Sequence, residues 1–313
     1  MKIGFIGLGR MGLNMVTRLV LGGHSIHCTA RTSEKRADAE RIRAVWAESP
    51  AAMIENLSRT DDPGRQSGKA DTPRIVWIMV PAGETTQTVI DEVASSLSPG
   101  DLIVDGGNSD YRDSKRRGTA LAAKGLRFID CGTSGGIWGL EKGYCLMIGG
   151  AEADVRCLAP IFTTLAPPQG WEHVGPVSAG HYVKMVHNAI EYGMMQAFAE
   201  GFALLEEQGD DLDLHRISKL WNHGSVVRSW LLELAERAFA EDPHLEALAG
   251  HVDDSGEGRW AVETAIGKGV PAPVIAASVF ARFSSRRPDA FENRFLAALR
   301  NQFGGHPVRK SSR

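Results

Sequence analysis

Lys2-Ile3-Gly4-Phe5-Ile6-Gly7-Leu8-Gly9-Arg10-Met11-Gly12 follows the first methionine of the chain. Lys2 to Ile6 reads as a strand, and Met11 to Leu21 reads as a helix. Between them three glycines stand at GxGxxG spacing. The first permits a tight turn, the second lets a pyrophosphate approach the backbone, and the third lets helix pack on strand. The N–H groups that open the helix then face the phosphates. Gly7, Leu8, Gly9, Arg10, Met11 and Gly12 are therefore candidate cofactor residues. The plain alternative is a glycine-rich turn with no ligand.

Outward from this motif, short apolar runs alternate with helical stretches. His24 to Thr29, Ile75 to Val80, Leu102 to Asp105, Arg127 to Asp130 and Tyr144 to Ile148 read as strands. Near-continuous apolar strands separated by helices indicate a parallel sheet covered on both faces. Glu55 to Pro73 is polar and rich in turn formers, and reads as an exposed loop. From Ser178 the pattern becomes helical. Ala179 to Glu207, with Gly209 as its stop signal, Leu214 to Trp221, Ser229 to Ala240 and Trp260 to Gly267 all read as helices. The expectation is an α/β, doubly wound (Rossmann-like) N-terminal domain over 1–177 and an all-α C-terminal domain over 178–313.

Composition agrees with two domains, since 313 residues divide at roughly 150 per domain. With 35 basic and 38 acidic residues the net charge is -3, which argues against nucleic acid or a membrane surface as partner. No apolar run approaches the ~18 residues of a membrane span, and glycines interrupt any signal-peptide core at once. Four cysteines (Cys28, Cys131, Cys145, Cys157) form no disulfide framework, and no His/Cys cluster suggests a metal site. A soluble, cytoplasmic, reduced protein is expected, with Cys131 as buried packing.

The second strand is followed by Ala30-Arg31-Thr32, with no carboxylate before Glu34. An acidic residue there would hydrogen-bond an NAD ribose, whereas an arginine fork suits a 2′-phosphate. Arg31 therefore favours NADP over NAD, the alternative being a solvated surface arginine.

Lys184, His187, Asn188 and Glu191 fall at i, i+3, i+4 and i+7 of the long helix, on one face. Met185, Val186 and Ile190 lie off that face and can pack. A solvated stripe with an ordinary Lys–Glu pair is the alternative. Apolar neighbours on both sides, and a histidine and an asparagine between the charges, weigh against it.

Together with DGGNS (105–109) and Thr133-Ser134-Gly135-Gly136, this stretch resembles the decarboxylating 6-phosphogluconate dehydrogenase family in its short form. Further matching segments are VPAG (80–83), GHYVKMVHNAIEYGMMQ (180–196), VFAR (279–282) and the tail from Arg300 to His306. The β-hydroxyacid dehydrogenases share only the lysine and the asparagine of the helix motif.

The resemblance implies oxidation of 6-phospho-D-gluconate at C3 by NADP or NAD, then loss of CO2 to give ribulose 5-phosphate. A β-keto acid loses CO2 readily because its carbonyl accepts the electrons, so no metal is required. Lys184 is implied as the base at the C3 hydroxyl, which asks for a lysine held below its ordinary ~10.4. The same ammonium then supports the enolate oxygen. Glu191 is implied as proton donor to C1 of the enediol. Asn108, Ser134, Gly135, Gly136, His187, Asn188, Tyr192, Ser255, Arg282, Arg300 and His306 are implied substrate residues. Ala30, Arg31, Thr32, Val80, Pro81, Ala82 and again Asn108 are implied on the cofactor side. The helical domain is implied to bind substrate and form most of the interface of a homodimer or homotetramer, with Arg300 and His306 reaching the neighbour's site.

The chain departs from the long form at Asp254-Ser255-Gly256-Glu257-Gly258-Arg259-Trp260. Ser255 stands for a phosphate-binding lysine and Glu257 for a threonine. A glutamate beside a phosphate is repulsive, so Glu257 is expected to point elsewhere or the contact to be rearranged, with one hydrogen bond still available from Ser255 and Arg259 as a substitute charge. Ala30 replaces an asparagine, which keeps NAD use open. The rivals are a β-hydroxyacid dehydrogenase acting on a small non-phosphorylated acid and a catalytically silent NADP-binding sensor.

Overall fold

The computed structural model describes residues 1–58, 73–208, 211–287, 290–304 and 307. Its first part alternates strand and helix. The elements are β1 (Lys2–Ile6), α1 (Arg10–Leu21), β2 (Ser25–Thr29), α2 (Arg36–Arg41), β3 (Val45–Trp46), α3 (Pro50–Ser58), β4 (Ile75–Ile78) and α4 (Glu84–Ser96). They continue as β5 (Leu102–Asp105), α5 (Tyr111–Ala122), β6 (Arg127–Ser134), α6 (Gly139–Lys142), β7 (Cys145–Gly149), α7 (Glu152–Leu165) and β8 (Trp171–Gly175). The rest is helical: α8 (Ala179–Glu206), α9 (Leu214–Trp221), α10 (Trp230–Glu241), α11 (Glu257–Lys268), α12 (Pro273–Ser285) and α13 (Phe291–Gly304). Two compact units result, Met1–Val186 and His187–Arg313.

In the first unit the sheet order is β3-β2-β1-β4-β5-β6-β7-β8. Strand order reverses at β1/β4, the switch point at which doubly wound sheets open a ligand crevice. The central strands β4 and β5 are buried along their whole length, which is why they read as unbroken apolar runs. One face of the sheet packs on α1 and α7 through Met15, Val16, Leu158 and Phe162, and the other buries Met53, Ile90, Val93 and Leu121. In the second unit Phe202, Leu214, Leu232 and Phe239 form the core. Asp213 and Ser229 cap α9 and α10 by accepting from the N–H groups of Arg216 and Leu232.

Three differences from the sequence reading have physical causes. β7 pairs antiparallel with β6, because the connection over 135–144 is too short for a parallel crossover of about a dozen residues. β3 and β8 escaped notice because they are edge strands: β3 has two residues, and Trp171–Gly175 alternates rather than running apolar. The polar stretch from Glu55 begins inside α3, whose last turn reaches Ser58. The remainder of that loop, 59–72, lies outside the described residues, as do Gly209 and His306. On α8 only Met185 of the three flanking apolar residues is buried; Val186 and Ile190 are exposed. No described helix is long and apolar enough to cross a membrane. Among the described residues, no cluster of His, Cys, Asp or Glu could hold a metal ion.

Candidate active site

The cofactor motif lies where β1 hands over to α1. Gly7 has φ of 101°, and a Cβ there would meet the Met79 carbonyl oxygen at 2.2 Å. A Cβ on Gly12 would stand 2.0 Å from the carbonyl oxygen of Gly7. Both are therefore required by the protein's own packing. Gly9 differs, since a Cβ there would meet nothing within 4 Å. It opens α1 without a side-chain cap. An open approach to an uncapped helix start is the environment a pyrophosphate fits. Arg31 and Thr32 are exposed just after β2, and Ala30 is half-buried.

Two more loops leave the same ends of the parallel strands. After β4, Val80 is half-buried while Pro81 and Ala82 are exposed. After β5, Asn108 is an exposed tip between buried Gly107 and Ser109. The Asp105 carboxylate accepts from the Gly107 N–H at 3.1 Å and from the Ser109 hydroxyl at 2.8 Å. Arg117 on α5 holds both loops. Its guanidinium, wholly buried, donates to Asp105 at 2.9 Å, to Ser109 Oγ at 3.0 Å and to the Gly83 carbonyl at 3.0 Å. Sequence reasoning missed Arg117, because an arginine on a polar helix carries no outward mark of burial.

β6 carries the start of α8. Asp130 accepts from the backbone N–H groups of Ser178 at 2.6 Å and His181 at 2.8 Å. A carboxylate at the amino end of a helix satisfies orphan donors and opposes the helix dipole. Burial pushes the Asp130 carboxyl above its ordinary range, His181 and these two donors act against the rise, and nearby Asp105 adds to it. His181 Nδ1 lies 2.6 Å from Ser114 Oγ, tying the same turn to α5. Gly132 faces the Lys184 Cβ and the Gly180 carbonyl, where a Cβ would approach to 2.5 and 2.7 Å. Lys184 is thereby held buried, at 8% exposure. Ser134 and Gly135 end the strand half-buried, and Gly136 is exposed.

α8 continues into the second unit with His187, Asn188, Glu191 and Tyr192. His187 and Glu191 are half-exposed, with Nδ1 to Oε2 at 3.9 Å. Tyr192 is buried; the Arg282 guanidinium stacks on its ring at 3.4 Å from the centroid and donates to the Asp253 carbonyl at 3.0 Å. Burial raises the Tyr192 phenol above its ordinary value, with Ser255 acting against the rise. Glu257 is buried and accepts from Asn188 Nδ2 at 2.9 Å and from Ser255 Oγ at 2.7 Å. Its two carboxylate oxygens are thus engaged by side chains of the protein itself. Arg259, the charge expected in place of the lysine, is exposed and its Nε pairs with the Asp254 carboxylate at 2.8 Å. Arg300 is exposed on α13.

Two family profiles match almost the whole chain. Residues 2–175 match the NAD binding domain of 6-phosphogluconate dehydrogenase, and residues 180–311 match the 6-phosphogluconate dehydrogenase C-terminal domain. The chain belongs to the 6-phosphogluconate dehydrogenase family. It is an NAD(P)-dependent oxidoreductase. The NAD(+)-dependent, decarboxylating 6-phosphogluconate dehydrogenase of Haloferax volcanii is 42% identical over 310 residues, covering 98% of each chain. The Plasmodium falciparum 6-phosphogluconate dehydrogenase, solved in apo form and with NADP+ and with 6-phosphogluconate, superposes with a TM-score of 0.80 at 26% identity, over 100% of this chain and 67% of that one. A Mycobacterium tuberculosis 3-hydroxyisobutyrate dehydrogenase shares the fold, with a TM-score of 0.70 at 21% identity, over 96% and 99% of the two chains. Within the 6-phosphogluconate dehydrogenase family this chain carries a glutamate, Glu257, buried against Asn188 where phosphate chemistry was anticipated.

Proposed function

We propose that the protein oxidatively decarboxylates 6-phospho-D-gluconate to D-ribulose 5-phosphate and CO2, as a cytoplasmic enzyme of the pentose phosphate pathway. The observation that carries this reading is α8, which bears Lys184 and Glu191 two turns apart with His187 and Asn188 between them. A sensor of cofactor ratio needs neither the base nor the acid. A dehydrogenase of small acids needs no second proton donor and no Arg282 or Arg300.

A nicotinamide cofactor, which Gly7 to Gly12 and Ala30 to Thr32 would hold, would supply the hydride acceptor for C3. The side chains of this chain handle the protons. Lys184 Nζ takes the C3 hydroxyl proton as the carbonyl forms. Loss of C1 as CO2 sends an electron pair to that oxygen, where the Lys184 ammonium returns a proton and yields the enediol. Glu191 then protonates the terminal carbon, while the hydroxyl proton of the adjacent carbon passes back to Lys184. One proton has moved from Glu191 to Lys184, and its return resets the pair. His187, Asn188, Asn108, Tyr192, Ser255 and the Ser134–Gly136 turn orient the sugar acid. Arg282, Arg300 and His306 attract its phosphate.

We assign cofactor binding to 1–177 and substrate binding to 178–313. Gly7 to Gly12, Ala30 to Thr32, Val80 to Ala82 and Asn108 line the cofactor side, and Arg31 favours NADP with NAD as a weaker substitute. The exposed apolar residues Ile190, Met194, Val226 and Phe280 support a helical domain that covers itself with a second copy, as a homodimer or homotetramer.

The test is an initial-rate assay with 6-phosphogluconate and NADP, then NAD, with ribulose 5-phosphate and CO2 both measured. Turnover to both products is expected. Folded, cofactor-binding protein that turns over with neither cofactor overturns the reading in favour of a small-acid dehydrogenase or a sensor.

A further inference from the structure

We infer that Glu257 is a positioning residue that fixes His187 in one tautomer and thereby sets which hydrogen bond the imidazole offers to a substrate hydroxyl. The inference rests on the site reading above, and it turns on three side chains of the second unit. Glu257 Oε1 accepts from Asn188 Nδ2 at 2.9 Å, and Ser255 Oγ donates to Oε2 at 2.7 Å. Glu257 is 2% exposed, so water does not compete for these bonds.

A carboxylate accepts hydrogen bonds and does not donate them. It therefore decides which end of the Asn188 amide faces it: the NH2 end. The carbonyl end is turned the other way, and Asn188 Oδ1 stands 3.0 Å from His187 Nδ1. An amide oxygen is an acceptor, so Nδ1 must carry the proton of a neutral imidazole. Glu191 Oε2, 3.9 Å from Nδ1, is also an acceptor and favours the same tautomer. In that tautomer Nε2 carries the lone pair, and the ring is half-exposed. Such a nitrogen accepts from a hydroxyl, and a polyhydroxy acid supplies hydroxyl donors along its chain.

A threonine at 257 would leave the Asn188 amide free to turn over, because a hydroxyl donates as readily as it accepts. In this chain the buried carboxylate replaces that freedom with a defined polarity from Glu257 through Asn188 to His187.

Nitrogen NMR on the full chain labelled at histidine tests this, with His187 assigned by the signal lost in H187Q. In the wild-type protein Nδ1 is expected at the protonated position and Nε2 at the lone-pair position. E257Q lets the amide partner donate or accept, so the His187 signals are expected to mix or invert. With 6-phosphogluconate as probe, KM is expected to rise about tenfold, the loss of one hydrogen bond, while the KM for NADP stays unchanged. E257D retains a carboxylate and is expected to restore the wild-type tautomer. Wild-type protein with the proton on Nε2 overturns the proposal, and that measurement needs no variant. E257Q with an unaltered His187 tautomer overturns it too, whatever happens to KM. If the tautomers behave as expected but 6-phosphogluconate is not turned over, the positioning role stands and the function proposed above fails.

Discussion

Replacing Gly132 by alanine tests whether β6 sets the position of Lys184. The added Cβ would lie 2.5 Å from the Lys184 Cβ and 2.7 Å from the Gly180 carbonyl oxygen, whereas ordinary contact begins at 3.4 Å. Neither neighbour is the loose end of a side chain. One is the root of Lys184, and the other is α8 backbone fixed by Asp130. The first turns of α8 must therefore retreat by about 1 Å, since packed interiors have no slack to absorb the clash. Overpacking of this kind costs about 1–3 kcal/mol. For a unit of this size each kcal/mol lowers Tm by about 2–4 °C. A misplacement of about 1 Å at a catalytic group can cost about 10²-fold in kcat. The assay is kcat with 6-phosphogluconate and NADP, alongside thermal unfolding and the Kd for NADP. That Kd is expected to hold, because the Gly7–Gly12 turn is built on β1. Unchanged Tm and kcat would refute the close approach itself. A lowered Tm with wild-type kcat would refute the claim that β6 positions Lys184.

Arg31→Glu is expected to weaken NADP by about ten- to a hundredfold, the value of a charge-assisted hydrogen bond, and to weaken NAD far less; equal losses by titration calorimetry would remove the 2′-phosphate role. Arg117→Met leaves the buried Asp105 carboxylate without its countercharge and is expected to cost about 3–5 kcal/mol in urea unfolding, so a loss below about 1 kcal/mol would contradict the pairing. Cys145 and Cys157 are exposed while Cys28 and Cys131 are buried, so a thiol reagent at neutral pH is expected to label two sites on the native protein and four on the unfolded chain. Burial pushes the Cys28 thiol up to about 11 and raises Cys131 as well. The folded state holds these protons more tightly than the unfolded chain. Their contribution to stability is thus intact below the unfolded thiol value near ~8.5 and falls as pH rises through about 11. A chemical-denaturation series across that range that shows no fall in stability, or rapid labelling of all four thiols in native protein, would contradict this.

The dinucleotide turn, the central strands and the long helix were legible in the sequence because each is decided locally. GxGxxG answers to steric demands within a dozen residues, as the Cβ clashes at Gly7 and Gly12 show. β4 and β5 are buried on both faces, so their apolar runs are uninterrupted. The i, i+3, i+4, i+7 face of α8 follows from helix geometry alone. β3 and β8 did not announce themselves, because an edge strand is only partly covered and its composition is under less constraint. The direction of β7 turned on a loop length rather than on its residues.

What only the tertiary structure decided is how polar side chains distant in sequence satisfy one another once water is gone. Arg117 meets Asp105 and Gly83, Asp130 meets the start of α8 across 48 residues, and Glu257 meets Asn188 across 69. None of these pairs has a sequence signature, since burial of the charge and the presence of its partner are properties of the folded chain. Sequence by itself determined the repertoire of this protein: a glycine-rich turn that opens a helix, an arginine after the second strand, and a helix carrying a lysine and a glutamate on one face. Folding decided which of its charges are exposed to a ligand and which are buried to hold others in place, because a buried charge must find its hydrogen bonds within the protein.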